Sequence, residues 1–345
     1  MPGRILVRAD ASTRIGTGHL MRCLALAQGW REQGGEATFL LRAGAPSIEA
    51  RLQSEGLAVR RLAAGAAGPE DAAETASVAR ELEVAWVVVD GYSFDSDFQE
   101  TLKKDGQKVL WVDDYGHTGN YPADIILDQN IDSDPDLYSR RAAGSKLLIG
   151  TRYVLLRREF WPLQTWRREN PERARRLLVT LGAGDHGAVT GKVISGIGLL
   201  DDPDLETTVV VGGENPHREA IEEAGRSSGR AIRAASDVRD MSDLMTRSDI
   251  CVSAGGTTCW ELSFLGLPSL IIEVADNQRR LARGLEKAGA ASSLGWHESC
   301  SAKDIARGLE ALIHDAAGRE KMSRVGRELV DGDGVSRVVR AMRGD

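Results

Sequence analysis

The sequence predicts an α/β protein made of two doubly wound parallel-sheet domains facing each other across a cleft. Three observations carry this: strand-like apolar runs alternate with helical patterns, the alternation is played out twice, and a stretch that fits neither pattern separates the two rounds. In the first round Ile5-Leu6-Val7, Thr38-Phe39-Leu40-Leu41, Trp86-Val87-Val88-Val89, Val109-Leu110-Trp111-Val112 and Ile125-Ile126-Leu127 read as parallel strands buried on both faces. Leu20, Cys23, Leu24 and Ala27 keep the spacing of one helix face, and Gly34-Gly35 ends that helix. Gly65 to Arg80 reads as a loop followed by a helix. In the second round Leu177-Leu178-Val179, Thr207 to Val211, Ile250-Cys251-Val252 and Leu270-Ile271-Ile272 are strand-like, with helical stretches around Gly191 to Leu200, His217 to Ala224 and Asp276 to Ala288. Trp161, Pro162, Trp166 and Asn170 mark the segment between the rounds. The expected boundaries are 1–156 for the first domain, 157–171 for a linker, 172–322 for the second domain, and 323–345 for a C-terminal helix packing back toward the first.

Composition narrows the function classes. The chain has 345 residues, room for two ordinary domains. A net charge of −7 and short basic clusters argue against nucleic acid as a partner. One such cluster, Arg173, Arg175 and Arg176, reads as a solvated face. No apolar run approaches the roughly 20 residues that cross a bilayer. Met1 to Asp10 reads as a strand and lacks the apolar core of a signal peptide. No membrane insertion and a cytoplasmic location are therefore expected. Cys23, Cys251, Cys259 and Cys300 show no CxxC spacing, so neither zinc nor a disulfide framework is expected, and Cys23 and Cys251 lie in apolar patterns.

In doubly wound sheets ligands bind beyond the carboxyl ends of the strands, so the glycine-rich turns after strands are the places to search. The first is Arg8-Ala9-Asp10 followed by Gly16-Thr17-Gly18-His19-Leu20-Met21-Arg22-Cys23. Met21 stands where a dinucleotide fingerprint needs its third glycine, which excludes that reading. His19 falls at the opening of a helix, where it can serve as a general base or acid, or can simply cap the helix. The second is Ser253-Ala254-Gly255-Gly256-Thr257-Thr258 with Glu261 behind it. A glycine pair and two hydroxyls at a strand-to-helix turn suit a diphosphate, and Glu261 can accept hydrogen bonds from a ribose. The plainer alternative is a tight turn with Thr257 as N-cap and Glu261 closing a capping box. The third is Ala275-Asp276-Asn277-Gln278, which reads equally as an ordinary helix start.

Asp90-Gly91-Tyr92, Asp113-Asp114-Tyr115 and Leu181-Gly182-Ala183-Gly184-Asp185 are further strand-end turns that could meet a ligand. Asp95-Ser96-Asp97 and Asp132-Ser133-Asp134 have an Asp-x-Asp form that some transferases use for manganese, but capping is the simpler role. The remaining histidines have no partner spacing that suggests a metal.

Taken together these residues resemble the family of UDP-2,4-diacetamido-2,4,6-trideoxy-β-L-altropyranose hydrolases, which make the free sugar used for pseudaminic acid, a nonulosonic acid of bacterial surface glycans. The resemblance spans nearly the whole chain: Arg8-x-Asp10, Gly16-x-Gly18-His19 with Arg22-Cys23-Leu24, Asp90-x-Tyr92, Asp113-Asp114, Leu127-Asp128-Gln129-Asn130, Gly150-x-Arg152-Tyr153, and the tail Asp331-Gly332-x-Gly334 with Arg337-Val338-Val339. The second half is similar to the nucleotide-binding half of GT-B glycosyltransferases, especially the one that adds N-acetylglucosamine to the lipid-linked peptidoglycan precursor. Ser253-x-Gly255-Gly256-Thr257-Thr258, Glu261 and Asp276-Asn277-Gln278 carry that likeness. Gly182-Ala183-Gly184-Asp185 departs from the Gly-Gly-Ser/Ala-Asp of many relatives. Related sequences also serve spore-coat and other surface polysaccharides.

The resemblance implies a GT-B-like pair of Rossmann-like domains and a UDP-sugar substrate. Water would attack the anomeric carbon, with His19 as base, Tyr92 and Asn277 positioning sugar or water, and UDP departing without cofactor or metal. Asp10, Gly16, Gly18, Arg22, Gly182, Gly256, Thr257, Thr258, Glu261 and Gln278 would bind the substrate. Two other readings stand beside this one. A glycosyltransferase of the same architecture would use a sugar or lipid hydroxyl in place of water. A nucleotide-sugar sensor would bind without turnover.

Overall fold

The computed structural model describes residues 2–10, 17–42, 46–63, 68–182, 189–212, 215, 217–236 and 238–345. The chain divides into two compact units, Met1–Arg158 with Gly332–Asp345, and Glu159–Asp331. The first unit runs β1 (Arg4–Ala9), α1 (Gly18–Glu32), β2 (Glu36–Leu41), α2 (Pro46–Ser54), β3 (Ala58–Arg61), α3 (Pro69–Glu81), β4 (Trp86–Asp90), α4 (Ser96–Lys104), β5 (Val109–Val112), β6 (Ile125–Asp128) and β7 (Lys146–Ile149). The second runs β8 (Arg176–Thr180), α5 (Val189–Gly198), β9 (Glu206–Val211), α6 (Arg218–Ser227), β10 (Ile232–Ser236), α7 (Met241–Arg247), β11 (Ile250–Ala254), α8 (Thr258–Phe264), β12 (Ser269–Glu273), α9 (Arg279–Ala288), β13 (Ser292–Trp296), α10 (Ala302–His314) and α11 (Ala316–Leu329). Helix α12 (Gly334–Arg343) belongs to the first unit.

The first sheet has the order β3-β2-β1-β4-β5-β6-β7, and every neighbouring pair is parallel. The second has the order β10-β9-β8-β11-β12-β13, again parallel throughout. Each order reverses once, between β1 and β4 and between β8 and β11. Those reversals open a crevice beyond the strands' carboxyl ends, and they point to the loops after β1, β4, β8 and β11. The central strands are apolar because both faces are covered: β4 and β11 are buried along their whole length.

Helix α1 is buried from His19 to Trp30 except at Met21. Its own sheet covers one side and α12 covers another. At Gly29 a Cβ would lie only 2.2 Å from Val335 Cγ1, so glycine is what lets the two helices touch. Gly334 fits as tightly, since a Cβ there would stand 2.1 Å from the Val154 carbonyl oxygen. Arg337 Nη1 donates to the Arg152 carbonyl at 2.7 Å, and Trp86 Nε1 to that of Met342 at 3.0 Å. The Gly150-x-Arg152-Tyr153 and Gly332-x-Gly334 motifs thus meet to dock α12.

Several elements differ from the sequence reading. Strands β3, β7, β10 and β13 are additions, all four at sheet edges. Residues 323–345 contain the end of α11 and the whole of α12, broken at Val330–Asp333. The stretch 157–171 includes a 3₁₀ turn, Arg158–Leu163. Beyond it Arg168, itself in the second unit, donates to the carbonyls of Met245 (2.8 Å), Leu265 (3.3 Å) and Ser248. The helix expected over Asp276 to Ala288 opens with a 3₁₀ turn, Asp276–Gln278, before α9. All four cysteines are free and buried. Among the described residues no helix is long and apolar enough to cross a membrane.

Candidate active site

In the first unit the site grows from the reversal between β1 and β4. Ala9 and Asp90 are register partners at the ends of those strands, and α1 begins at Gly18. His19 and Arg22, three residues apart, share a face of that helix. His19 Nδ1 lies 2.6 Å from Asp90 Oδ1. Because a carboxylate only accepts, Nδ1 carries a proton in this contact, and in the neutral form of the ring Nε2 is the nitrogen with the lone pair. Nε2 makes no hydrogen bond among the described residues. The ring stands edge-on to Tyr92, with centroids 4.7 Å apart.

Arg22 locks this pair in place. Its Nε donates to Asp90 Oδ2 at 2.6 Å and Nη2 to Asp90 Oδ1 at 2.7 Å, while Nη1 donates to Asp114 Oδ1 at 2.7 Å and Nη2 to Oδ2 at 3.1 Å. Both forks are bidentate, the geometry in which guanidinium–carboxylate pairing is strongest. Tyr92 Oη donates to Asp114 Oδ2 at 2.7 Å, so its hydroxyl hydrogen is committed. Asn130 Nδ2 donates to Asp114 Oδ1 and to Asp128 Oδ1, each at 2.9 Å. Burial alone would raise the pKa of Asp90 and Asp114. Arg22 and His19 beside them outweigh it and hold both carboxyls below their ordinary range, so both are anions at neutral pH.

Asp128 behaves oppositely. Burial dominates, and with the Asp114 charge nearby it pushes the carboxyl up to about 7, although Asn130 and Tyr138 donate to it. The folded value exceeds the unfolded one, about 3.9. The protonated acid therefore contributes stability below about 4 that is lost as pH rises through about 7. Asp128→Asn should remove this loss. Its unfolding free energy relative to the parent should rise between pH 4 and about 7 and then stay level. Urea unfolding across that range tests it, and a constant difference between the two proteins would refute the assignment.

Asp10 sits apart in a second buried network. Arg8, fully buried, donates Nη1 to Asp10 Oδ1 at 2.7 Å and Nη2 to Oδ2 at 2.8 Å, and grips Asp71 through Nε and Nη2 at 2.9 and 2.7 Å. The Arg42 backbone N–H adds a bond to Asp10 Oδ1 at 2.9 Å. These contacts pin the ends of β1 and β2 together. Gly16 lies outside the described residues, and Gly18 is the first residue of α1.

In the second unit the turn after β11 is braced from the next strand. Gln278 Oε1 accepts the backbone N–H of Gly255 at 3.1 Å and of Val274 at 3.0 Å. A Cβ on Gly255 would lie 3.1 Å from both Cβ and O of Gln278, which explains the first glycine of the pair. The Thr257 side chain makes no capping bond, and neither threonine hydroxyl has a partner among the described residues. Thr257, Thr258, Gly256 and Glu261 are half-buried. Asn277 is exposed, and Asp276 accepts from Arg279 Nε at 3.0 Å. Gly182, two residues beyond β8, has φ +88°, a conformation that favours glycine, and the Ala183–Gly184–Asp185 continuation lies outside the described residues.

Asp95 and Asp134 are caps. Their carboxylates accept the N–H groups of Phe98 and Asp136, each at 2.9 Å. A hollow of about 660 Å³ lined by Arg173, Arg175, Arg176, Glu206 and Asp249 lies at the amino ends of β8, β9 and β11, the wrong ends for a doubly wound sheet's ligand. Arg173 and Arg176 there pair with Asp202 and Asp249. Asp90 holds His19 at the site, a role that a strand-end turn motif alone does not distinguish from turn chemistry. Its place opposite α1, at the end of the strand paired with β1, was the available signal.

Two doubly wound parallel sheets of seven and six strands in one chain are the GT-B fold. MurG of Acinetobacter baumannii shares it with a TM-score of 0.67 at 15% identity, over 99% of this chain and 100% of that one. UDP-GlcNAc 2-epimerase from Neisseria meningitidis, solved bound to UDP-GlcNAc, gives 0.66 at 13% identity, over 99% and 100%. Residues 178–331 match the model of the Glycosyltransferase family 28 C-terminal domain. The chain is 22% identical to the uncharacterized protein MJ1062 of Methanocaldococcus jannaschii, over 80% of this chain and 57% of that protein. It is 28% identical to the spore coat polysaccharide biosynthesis protein SpsG of Bacillus subtilis, over 48% of each. It therefore spans about half the length of the curated relatives it matches.

Proposed function

We propose that the protein hydrolyses a UDP-sugar at its anomeric carbon, releasing UDP and a free sugar, 2,4-diacetamido-2,4,6-trideoxy-L-altrose of pseudaminic acid biosynthesis. The observation that carries this reading is the buried His19–Asp90 contact, which orients an imidazole with Nε2 unengaged. In the reaction Nε2 takes a proton from water as the water oxygen bonds to the anomeric carbon. The bond from that carbon to the diphosphate oxygen breaks, and UDP leaves with the electron pair. Asp90 stabilises the imidazolium so formed. The second unit would hold UDP. The Thr257 and Thr258 hydroxyls at the turn after β11 can donate to the diphosphate, and Glu261 can accept the ribose hydroxyls. The family 28 match over 178–331 and a fold neighbour that binds UDP-GlcNAc support a UDP-sugar as ligand.

Incubating the pure protein with UDP-sugars and following UDP release without an acceptor tests this. Release that requires an added sugar or lipid hydroxyl would favour the transferase reading, which the family 28 match supports. Binding with no release would mean a sensor. Glu261→Ala should weaken UDP binding by about 1.5–3 kcal/mol, the worth of hydrogen bonds to a charged group. Calorimetry giving the parent affinity would remove Glu261 from the nucleotide site.

A further inference from the structure

The loop after β5 is held more firmly than a surface turn requires. Asp113 Oδ1 accepts the backbone N–H groups of Asp114, Tyr115 and Gly116 at 2.6, 2.9 and 2.9 Å, and its Oδ2 accepts from Tyr121 Oη at 2.8 Å. His117 Nε2 bonds the Phe94 carbonyl at 3.0 Å, and its Nδ1 approaches Asp113 at 3.4 Å. Gly116, at φ +76°, would bring a Cβ to 2.9 Å from Leu137 Cβ, so the turn is packed as well as bonded.

This rigid turn presents Tyr115. Tyr115 is 37% exposed, and among the described residues Leu199 of the second unit is the other large hydrophobic residue left exposed. The Tyr115 ring lies 5.3 Å from that of Tyr92, which in turn meets His19 edge-on. A continuous run of rings therefore leads from His19 to an open aromatic face. The Tyr115 hydroxyl has no hydrogen-bond partner among the described residues. Burial and the neighbouring Asp113 and Asp114 raise its pKa, so it keeps its proton and stays a donor. A flat apolar ring with a spare hydroxyl, fixed in advance, suits a ligand with an apolar patch flanked by polar groups.

Resting on the nucleotide-sugar reading above, we propose that Tyr115 is a specificity-determining residue that receives the C–H face or acyl methyl of the sugar. It acts on the sugar alone, because the nucleotide is assigned to the other unit. That assignment also separates a failure of this inference from a failure of the wider reading.

Saturation-transfer NMR on the full chain, with UDP-N-acetylglucosamine and separately with UDP, provides the test. In the parent, saturation should reach uridine, pyranose and acetyl methyl protons. In Tyr115→Ala the pyranose and acetyl signals should fall at least threefold relative to uridine, with the uridine signals of both probes unchanged. Tyr115→Leu, apolar but not flat, should behave as Tyr115→Ala does, and Tyr115→Phe should retain the sugar signals. Unaltered sugar signals in the Ala and Leu variants would overturn the inference, as would a parent that saturates uridine and leaves the sugar dark. A parent that saturates neither UDP nor the UDP-sugar would overturn the nucleotide-sugar reading, and this inference with it.

Discussion

His19→Asn is expected to lower turnover of the UDP-sugar by about 10²–10⁴-fold, the usual contribution of a positioned general base. UDP affinity should stay at the parent value, because the residues assigned to the nucleotide lie in the second unit. Asparagine is close in size and can still donate to Asp90, so a histidine that merely orders the start of α1 would survive the change. Rate and affinity must therefore separate. Single-turnover kinetics beside calorimetry would expose a wrong assignment: a variant turning over at the parent rate leaves the base to be sought elsewhere, first at Tyr92. Equal losses in rate and UDP affinity would instead indicate a structural role.

The largest stability effect should come from Arg22→Leu. The guanidinium is buried and holds two buried carboxylates through bidentate contacts. Removing one partner from such a pair typically costs about 3–5 kcal/mol, because the other charge is left uncompensated in the interior. The depressed pKa values of Asp90 and Asp114 set the sign of the pH dependence. Their stabilisation is present above the unfolded carboxylate range and is lost as pH falls through the folded values, so the deficit of the variant should shrink on acidification. Arg22→Lys keeps the charge without the fork and should fall between parent and Leu variant. Denaturant midpoints at pH 7 and at about pH 3, below the unfolded carboxylate value of about 3.9, measure both effects, and a deficit independent of pH would refute the electrostatic account.

The sequence exposes those parts of the molecule whose physics is local or two-sided. The nine strands read from apolar runs are the interior ones, where a covering layer on both faces forces Val, Ile and Leu into succession. The four that escaped are the edges. Arg60 and Arg61 in β3, Lys146 in β7, Arg233 in β10 and the Ser-Ser-Leu-Gly-Trp of β13 face water or half-face it, so no apolar run marks them. The same distinction governs the site. Gly18-His19 and Gly255-Gly256 are contiguous turns and are legible as such. The Arg22–Asp90–Asp114–Asn130 network joins three strand ends and a helix across more than a hundred residues, and residue order alone does not reveal which acid meets which base. Arg22 illustrates the difference: the resemblance implies a substrate contact, and only the folded chain shows its guanidinium engaged with two aspartates.

The network around His19 also sets a polarity for whatever approaches. Asp90 and Asp114 are both ionised against the single cation of Arg22, an excess of one negative charge in a poorly polarisable interior. A diphosphate brought to this spot would be repelled, whereas an uncharged pyranose would not. Reversed binding is thereby penalised before any specific contact forms. If the imidazole accepts a proton from water, as proposed, the excess is cancelled, so the same surplus that would turn the anionic end away would also draw the proton in.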